Sequence, residues 1–194
     1  MPPKIKISKE DIIKTAVELV RENGAGAINA RAVAAALDCS TQPIFSNFAT
    51  MGDLQKAVIC TAYEMYLDFI KKEVEQGNYP QYKAFGMAYV RFAREERELF
   101  KLLFMRDRTK ESASTSPDFE ESVQMIMKAN GVSEETARLM HLEIWTSVHG
   151  IGVMLATSFL PLELELISEM ISDVYKGICA KHVVKENNNG SDQN

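Results

Sequence analysis

Apolar residues recur at intervals of three and four along most of the chain, and this spacing predicts an all-α protein. The first helix is predicted to begin after Ser8, because Ser8 and Asp11 have the spacing of a capping box. It is predicted to end at Asn23 and Gly24, where glycine can adopt the left-handed conformation that closes a helix. Two short helices and six longer ones are predicted after it, which gives about nine helices in all.

The most informative stretch is 28–54, where two short amphipathic helices are separated by a tight turn at 37–40. Asn29 is placed to cap the first helix and Ser40 the second, which puts Pro43 in a first turn where its missing N–H costs little. The inward face of the second helix is predicted to be Ile44, Phe45 and Phe48. Its outward face is predicted to be Thr41, Gln42, Ser46 and Asn47. This is the pattern of a helix-turn-helix that reads DNA, although a plain helical hairpin with a solvated polar face is the alternative.

The other six helices are predicted in a larger domain that follows this three-helix head. They are residues 53–76, 81–94, 96–107, 117–130, 134–159 and 162–182. Gly77 and Gly131 are predicted to end the first and the fourth of them, and Ser133 is predicted to cap the fifth. Residues 108–116 are polar and without periodicity, so they are predicted to be a plain surface loop or, alternatively, the flap of a ligand site. The predicted domains are the DNA-binding head at 1–52, a helical effector-binding and dimerisation domain at 53–185, and a disordered polar tail at 186–194.

Composition and charge place the chain among ordinary globular proteins. Of its 194 residues, 46% are hydrophobic and 25% are charged. No run approaches the ~20 apolar residues of a membrane span, which predicts a cytoplasmic protein. The net charge is −5, yet residues 1–56 hold seven basic and six acidic side chains, against 15 and 21 in the remainder. This asymmetry weakly favours a nucleic-acid module on an acidic body.

The residues that usually carry chemistry form no recognisable site. No P-loop, dinucleotide-binding, nucleophile-elbow or H-E-x-x-H motif is present, so we expect neither catalytic residues nor a cofactor. The three cysteines lack C-x-x-C spacing and are expected to be free thiols. His141, His149 and His182 do not occur at metal-binding spacing, so structural roles are favoured over a metal site. Ten Met and nine Phe suit an ordinary core or, collectively, an adaptable apolar cavity.

The N-terminal quarter of the chain carries a specific resemblance. Its elements in order are Asn23-Gly24, Asn29, Val33-Ala34, Asp38-Cys39-Ser40, Ile44-Phe45-Ser46-Asn47-Phe48 and Met51-Gly52-Asp53-Leu54. This order resembles the DNA-binding domain of the TetR (tetracycline repressor) family of bacterial transcriptional regulators. In that family pattern Asp38 replaces a turn glycine, Phe45 a tyrosine that commonly meets a phosphate, and Met51 a lysine. The last two replacements imply fewer phosphate contacts, whereas aspartate adopts the left-handed conformation more readily than most residues.

The resemblance implies that the partner is a double-stranded DNA operator with a pseudo-palindromic sequence. It places Thr41, Gln42, Pro43 and Asn47 in the major groove, Asn29, Arg31 and Ser40 at phosphates, and Phe45 on the same reading helix. It also implies that a small, mostly apolar effector releases the DNA, so the predicted function is a ligand-responsive repressor. The alternative is a helical adaptor that binds a protein partner, which the replacements at Phe45 and Met51 would favour.

The C-terminal part resembles one subclass of TetR proteins, which carries a Trp-x-x-x-His-Gly signature. The matching segments are 89–94, 98–104 and the signature residues Trp145, His149 and Gly150. The resemblance implies an effector cavity with candidate liners Phe85, Met87, Tyr89, Phe92, Phe104, Met125, Trp145 and His149. It also implies a homodimer through the last two helices, with candidate interface residues Ile151, Leu155, Phe159, Leu162, Leu166, Met170 and Val174. The unusual apolar width of these two helices favours the same conclusion.

Overall fold

The protein is all-α throughout the part of the chain that a computed structural model describes, which is 7–107, 109 and 117–191. Side chains are described for these residues except 117–118 and 183–191. The described part contains no β-strand, one 3₁₀ turn at Ala25–Ala27 and nine α-helices, which confirms the predicted fold class. The helices are α1 (Lys9–Asn23), α2 (Ala30–Ala36), α3 (Gln42–Asn47), α4 (Met51–Gln76), α5 (Gln81–Glu95), α6 (Arg97–Phe104), α7 (Pro117–Asn130), α8 (Glu134–Ala156) and α9 (Leu164–Ser191). None of the helices within these described ranges is long and apolar enough to cross a membrane.

The chain divides into two compact units that do not follow the order of the sequence. The head unit takes its residues from 1–68 and 95–106, and the body unit from 69–94 and 107–194. Helix α4 therefore begins in the head unit and ends in the body unit. In the head unit, α1 contacts α2, α3 and α6, and in the body unit α8 packs against α7 and α9. The head unit extends beyond residue 52, where the sequence analysis places the domain boundary, because it includes the first part of α4 and all of α6.

Helix α1 begins where its sequence predicts. The Ser8 hydroxyl accepts a hydrogen bond from the backbone N–H of Asp11 at 3.0 Å, and the Asp11 carboxylate accepts one from the backbone N–H of Ser8 at 3.1 Å. The hydrogen bond from the Ser8 side chain is the main reason that the pKa of Asp11 lies below its usual value. At the other end, Gly24 has φ 79° and ψ 173°, a conformation open to glycine but different from the predicted left-handed helical one.

Helix α4 begins at Met51, two residues before the predicted start. Thr50 accounts for the difference, because its hydroxyl accepts from the Asp53 N–H at 3.2 Å and donates to the Asp53 carboxylate at 2.8 Å. The buried face of the helix keeps a spacing of four residues, which is one turn. Its buried apolar members are Leu54, Val58, Ala62, Tyr66 and Ile70.

Helix ends in the body unit mostly follow the glycine and serine signals of the sequence. Gly77 and Gly131 close α4 and α7 with φ values of 67° and 66°. Ser133 caps α8 as predicted, since its hydroxyl accepts from the Thr136 N–H at 3.3 Å. Helix α8 ends at Ala156 instead of residue 159, and α9 begins at residue 164 instead of 162. A φ of 56° at residue 158 turns the chain just after α8 and ends that helix before residue 159.

Two sequence-based predictions fall wholly or partly outside the described residues. In the segment 108–116, which is the predicted surface loop or flap, only residue 109 is described. In the predicted tail at 186–194, only the backbone of 186–191 is described, and it forms part of α9. Both predictions therefore stay predictions.

Candidate functional site

The two short helices of the head unit are joined by a turn that contains a left-handed aspartate. Helix α2 ends at Ala36, and Asp38 has φ 49°. The Cys39 N–H donates to the Ala34 carbonyl at 2.9 Å, and the Asp38 N–H donates to the Ala35 carbonyl at 3.2 Å. These bonds have the pattern of a Schellman motif, in which glycine is usual at the left-handed position. The prediction that Asp38 adopts the conformation of a turn glycine is confirmed.

The start of α3 corrects one sequence-based prediction, since Ser40 does not cap this helix. The N-cap residue is Thr41, and its side chain makes no capping hydrogen bond. A cap at Ser40 would serve the N–H of the second or third helical residue, and the third would be Pro43, which has no N–H. The Ile44 N–H donates instead to the backbone carbonyl of Thr41 at 3.2 Å. Pro43 does lie in the first turn, as predicted.

Helix α3 is anchored by two of the three residues that were predicted to face inward. Ile44 is 1% exposed and Phe48 is 4% exposed, whereas Phe45 is 52% exposed. The inward prediction for Phe45 is wrong, because Ile44 and Phe48 lie one turn apart and the next residue points about 100° away around the helix. An exposed phenyl ring on this helix can contact apolar groups such as the methyl group of thymine.

The outward face of α3 is polar, and two of its side chains are tied to the helix backbone. The Ser46 hydroxyl donates to the Gln42 carbonyl at 2.9 Å, and the Asn47 amide donates to the Pro43 carbonyl at 2.8 Å. Gln42 and Ser46 are exposed, whereas Thr41, Pro43 and Asn47 are half-buried. Because the donors of Ser46 and Asn47 are directed at carbonyls, their oxygens are placed to accept hydrogen bonds, for example from base amino groups.

The residues predicted at phosphates differ in how far their side chains are already engaged. Asn29 caps α2, accepting from the Ala32 N–H at 2.9 Å and donating to the Ala27 carbonyl at 3.3 Å. Arg31 and Ser40 are exposed. An arginine in this position can form charge-assisted hydrogen bonds with a phosphate, whereas Asn29 would have to exchange or share its existing ones.

In the body unit, Trp145, His149 and Tyr89 form one contiguous cluster. The Trp145 indole stacks on the His149 imidazole with ring centroids 5.0 Å apart and an interplanar angle of 18°. Tyr89 Oη lies 2.7 Å from His149 Nδ1. Burial lowers the pKa of His149 and raises the pKa of Tyr89, so a protonated phenol can donate to a neutral imidazole. The structure thus brings together three of the predicted effector liners.

Four other predicted liners lie in the same unit. Met87 and Phe92 are fully buried, while Phe85 and Met125 are half-buried. Phe92 packs edge to face with Phe69 on α4, with ring centroids 5.3 Å apart. Three of the four lie on α5, so they provide an apolar and aromatic interior on the same helix that carries Tyr89.

Phe104 is the one predicted liner that lies in the head unit. Its ring packs against Tyr66, with centroids 5.3 Å apart, and against Phe100, with centroids 5.2 Å apart. The sequence analysis places residues 96–107 in the larger domain because they follow α5 directly. The packing of α6 against α1 makes Phe104 part of the head unit instead.

The other two histidines also have side-chain partners. Tyr82 Oη lies 2.9 Å from His141 Nδ1, and His182 Nε2 lies 2.8 Å from a carboxylate oxygen of Glu143. Both histidines are 7% exposed. These contacts support the structural interpretation of the histidines. Within the described residues, no group of three or more His, Cys, Asp or Glu side chains could hold a metal ion.

The predicted dimer residues divide into a buried and an exposed group. Ile151 and Leu155 are 6% and 5% exposed within the single chain, so they belong to its own core. This face of α8 is already covered within the chain, and the prediction of these two as interface residues stays a prediction. The exposed fraction is 80% for Phe159, 46% for Leu166 and 37% for Met170. Leu162 and Val174 are half-buried.

Helix α8 also carries an exposed apolar face, on which Leu139 and Leu142 were not named by the sequence analysis. Leu139, Leu142 and Trp145 are 47%, 49% and 40% exposed. Their spacing of three residues was a visible signal. It competes, however, with the buried stripe on the same helix, and periodicity alone does not say which stripe faces the core.

An ion pair with a buried carboxylate was missed as well. Glu73 near the end of α4 is 2% exposed, and its Oε2 lies 2.8 Å from Nε of Arg91 on α5. The signal for its burial was its position, since Glu73 follows Ile70 by three residues on the buried face of α4. The residue type points the other way, because carboxylates are rarely buried.

A polar cleft of about 270 Å³ lies along α5 and α9. Its lining residues are Lys83, Ser168, Glu169, Ser172, Asp173 and Lys176. Lys83 Nζ donates to the Ser172 hydroxyl at 2.8 Å. This charged lining suits a polar ligand better than the mostly apolar effector that the sequence predicts.

Comparison with known proteins identifies the fold of the chain. Residues 82–173, which contain Tyr89, Trp145 and His149, match a family model described as "Tetracyclin repressor-like, C-terminal domain". The chain is also similar to the crystal structure of a TetR-like transcriptional regulator from Rhodococcus sp. RHA1, with a TM-score of 0.66 and 12% sequence identity. The likeness covers 90% of this chain and 96% of that chain. The fold is TetR-like.

A second solved structure shares this TetR-like fold. It is the multidrug binding protein EbrR complexed with imidazole, with a TM-score of 0.59, 17% identity, and coverage of 85% of this chain and 93% of that chain. No curated protein matches the chain in sequence. At such low identities the two structures establish the TetR-like fold alone.

Proposed function

We propose that the protein is a ligand-responsive transcriptional repressor of the TetR family, in the subclass with the Trp-x-x-x-His-Gly signature. The helix-turn-helix carries this proposal. The turn at Asp38 leads into α3, and the buried Ile44 and Phe48 anchor that helix while Gln42 is exposed on its other side. A short helix anchored on one face and polar on the other is the arrangement that reads the major groove.

The proposed DNA contacts follow from these positions. Gln42, Thr41, Pro43 and Asn47 would contact base edges, Arg31, Ser40 and Asn29 would contact phosphates, and Phe45 would contribute an apolar contact. Glutamine can pair with adenine through two hydrogen bonds, and a phenyl ring can contact a thymine methyl group. Phosphate contacts supply affinity that depends on salt, while base contacts supply sequence preference.

A homodimer would supply two reading helices to a pseudo-palindromic operator. The support is the exposed apolar surface of the last helices, which includes Leu142 and Trp145 on α8, Leu166 and Met170 on α9, and Phe159 between them. Covering such side chains with a second copy removes apolar area from water, which favours association. A two-fold axis would then place the two α3 helices at half-sites about 34 Å, or one DNA turn, apart.

The proposed effector is a small, mostly apolar molecule that binds in the body unit. It would bind best to the state in which the two heads do not match consecutive major grooves, so its binding would shift the population away from DNA. The cluster of Trp145, His149 and Tyr89 and the buried Met87 and Phe92 support an effector site with aromatic walls and few polar groups.

Fluorescence anisotropy with labelled DNA from upstream of the gene would test the proposed function at about 50 and 200 mM salt. Gln42→Ala should weaken binding by about 1–3 kcal/mol, through lost base contacts. Arg31→Ala should weaken binding and lower the log–log salt slope by about one. Lys128→Ala, which removes an exposed charge from α7, is the control and should leave binding unchanged.

Two results would contradict the proposal in different ways. If wild-type protein binds the DNA but neither Gln42→Ala nor Arg31→Ala weakens binding, the placement of α3 in the groove is wrong. If the wild-type protein does not bind the DNA even at the lower salt concentration, a helical adaptor is favoured. The exposed Phe45 would then be a candidate contact for a protein partner.

A further inference from the structure

Glu73 is buried and forms an ion pair with Arg91, in which one oxygen and one N–H group have no hydrogen-bond partner among the described residues. Arg91 Nε lies 2.8 Å from Glu73 Oε2, yet the Nε–H group makes no hydrogen bond within the part of the chain that the structure describes. Glu73 Oε1 receives none from any residue that the structure describes, and both atoms are shielded from solvent. Buried polar atoms nearly always make hydrogen bonds, so a donor at Arg91 Nε and an acceptor at Glu73 Oε1 that make none call for an explanation.

Other arginine–carboxylate pairs in the chain are built differently. In the head unit, Arg21 donates to both oxygens of Glu96, at 2.9 and 2.6 Å. In the body unit, Arg138 donates to both oxygens of Glu120, at 3.0 and 2.7 Å. The side chains of Glu96 and Glu120 are 17% and 42% exposed, against 2% for Glu73. The most buried of these carboxylates is therefore the least satisfied, which is the reverse of what stability alone favours.

The flanking side chains are apolar and aromatic. Phe69, one turn before Glu73, packs edge to face with Phe92, which is next to Arg91 in sequence. Met87, one turn before Arg91, is fully buried, as is Phe92. A hydrogen bond in such surroundings is stronger than the same bond in water, because the local dielectric constant is low. Met87 and Phe92 are also candidate effector liners from the sequence.

We propose that Glu73 Oε1 and Arg91 Nε–H together recognise one polar group of the effector, an inference that rests on the proposed effector-binding function. The charges of Glu73 and Arg91 already cancel, so a charged ligand group would add an uncompensated buried charge. The recognised group is therefore neutral, with an N–H donor for Glu73 and a neighbouring acceptor for Arg91. A cis amide, as in a lactam, has both on adjacent atoms. The effector class is an apolar ring compound that carries one lactam-like group.

Isothermal titration calorimetry with 2-quinolone and 1-methyl-2-quinolone tests this assignment. The two probes share the ring and the carbonyl group, but only 2-quinolone has an N–H donor. Wild-type protein should bind 2-quinolone at least about tenfold more tightly, because the lost hydrogen bond is to a charged oxygen. In the double variant Glu73→Leu/Arg91→Met, the two probes should bind equally. Both residues are changed together because removing Arg91 alone would leave Glu73, which is 2% exposed, as a buried unpaired charge, whereas the Arg91 side chain is 31% exposed.

Two further variants keep the test independent of folding. The double variant Glu120→Leu/Arg138→Met removes an exposed pair of the same type and should keep the preference for 2-quinolone. If circular dichroism shows that Glu73→Leu/Arg91→Met does not fold, Glu73→Gln replaces it. The Glu73→Gln variant should reduce the preference to a few-fold, because a neutral amide oxygen accepts a weaker hydrogen bond than a carboxylate oxygen.

Three results would overturn the inference. The first is equal binding of the two probes by wild-type protein. The second is a tenfold preference for 2-quinolone that persists in Glu73→Leu/Arg91→Met or, where that variant does not fold, in Glu73→Gln. The third is no binding of 2-quinolone by wild-type protein up to its solubility limit. Operator binding is measured on the same preparations by anisotropy. If the operator binds normally and the probe preference is absent, the inference fails while the proposed function stands. If wild-type protein does not bind the operator, the proposed function itself fails.

Discussion

Tyr89 Oη lies 2.7 Å from His149 Nδ1, and this contact joins α5 to α8 inside the body unit. Burial raises the pKa of the phenol, which therefore keeps its proton at neutral pH, and lowers the pKa of the imidazole. The phenol can donate to the imidazole only while His149 is neutral. The hydrogen bond between Tyr89 and His149 therefore requires neutral His149. Trp145 stacks on the same imidazole ring.

This pairing predicts that the body unit is less stable in mild acid. Because the pKa of His149 is lower in the folded state than its ordinary value of about 6.5, the unfolded chain takes up the proton first as the pH falls. The free energy of unfolding should therefore decrease from about pH 6.5 down to the folded-state pKa of His149, and this contribution should be constant above that window. Urea denaturation at several pH values measures it.

His149→Gln is the control for this pH dependence, because glutamine keeps a polar side chain without a titrating group. The variant should show a flatter curve than wild-type protein below about pH 6.5. Identical curves for the two proteins would mean that His149 does not contribute to the acid sensitivity.

Arg21 on α1 donates two hydrogen bonds to Glu96, the N-cap residue of α6. We expect this contact to stabilise both helices in the head unit. Arg21→Met removes two charge-assisted hydrogen bonds and leaves the partly buried Glu96 without them. The amides of α1 and α6 should exchange with a protection free energy lower by about 1–3 kcal/mol. Hydrogen exchange measured by NMR resolves these helices individually.

Arg138→Met provides the matched comparison for Arg21→Met. Arg138 makes the same two-oxygen contact with Glu120, but the two side chains are 38% and 42% exposed. An exposed pair of this kind contributes less than about 1 kcal/mol. Equal losses of protection around the two sites would contradict the expected dependence on burial.

The left-handed conformation of Asp38 predicts that glycine at this position in the turn between α2 and α3 makes the protein more stable. With φ 49°, an L-residue carries a steric cost that glycine lacks. Asp38→Gly should raise the free energy of unfolding by about 0.5–1 kcal/mol, and Asp38→Val should lower it by more than that. Ala35→Gly, three residues earlier in α2, should instead destabilise by about 1 kcal/mol. Thermal denaturation should place Asp38→Gly above wild-type protein and both Asp38→Val and Ala35→Gly below it. A destabilised Asp38→Gly protein would contradict this prediction.

We expect replacement of Met51 by lysine to increase the affinity for DNA. Met51 is half-buried at the first position of α4, where the family pattern has a lysine. Met51→Lys should tighten operator binding at low salt and steepen the log–log salt slope by about 0.9, the value for one additional phosphate contact. Met51→Gln has a similar length without the charge and should leave the slope unchanged. An unchanged slope for Met51→Lys would place this residue away from the phosphates.

Local signals in the sequence predicted the helices and their ends with few errors. Ser8 and Ser133 cap the helices that they were expected to cap, and Asp38 adopts the expected turn conformation. The errors at Ser40 and Phe45 also concern local geometry, but each depended on the first residue of α3. A shift of one residue there changes which N–H groups need a partner and which side chains face the core.

By itself, the sequence determined the all-α class, the order of the helices and the helix-turn-helix, because caps, turns and a period of about 3.6 residues act within one or two turns of chain. Only the tertiary structure decided which apolar stripe of α8 is buried, that α6 packs with α1, and that Glu73 is enclosed beside Arg91. These outcomes depend on residues far apart in sequence. Helical periodicity marks an apolar face, but the helix that covers the face is chosen by packing of the whole chain.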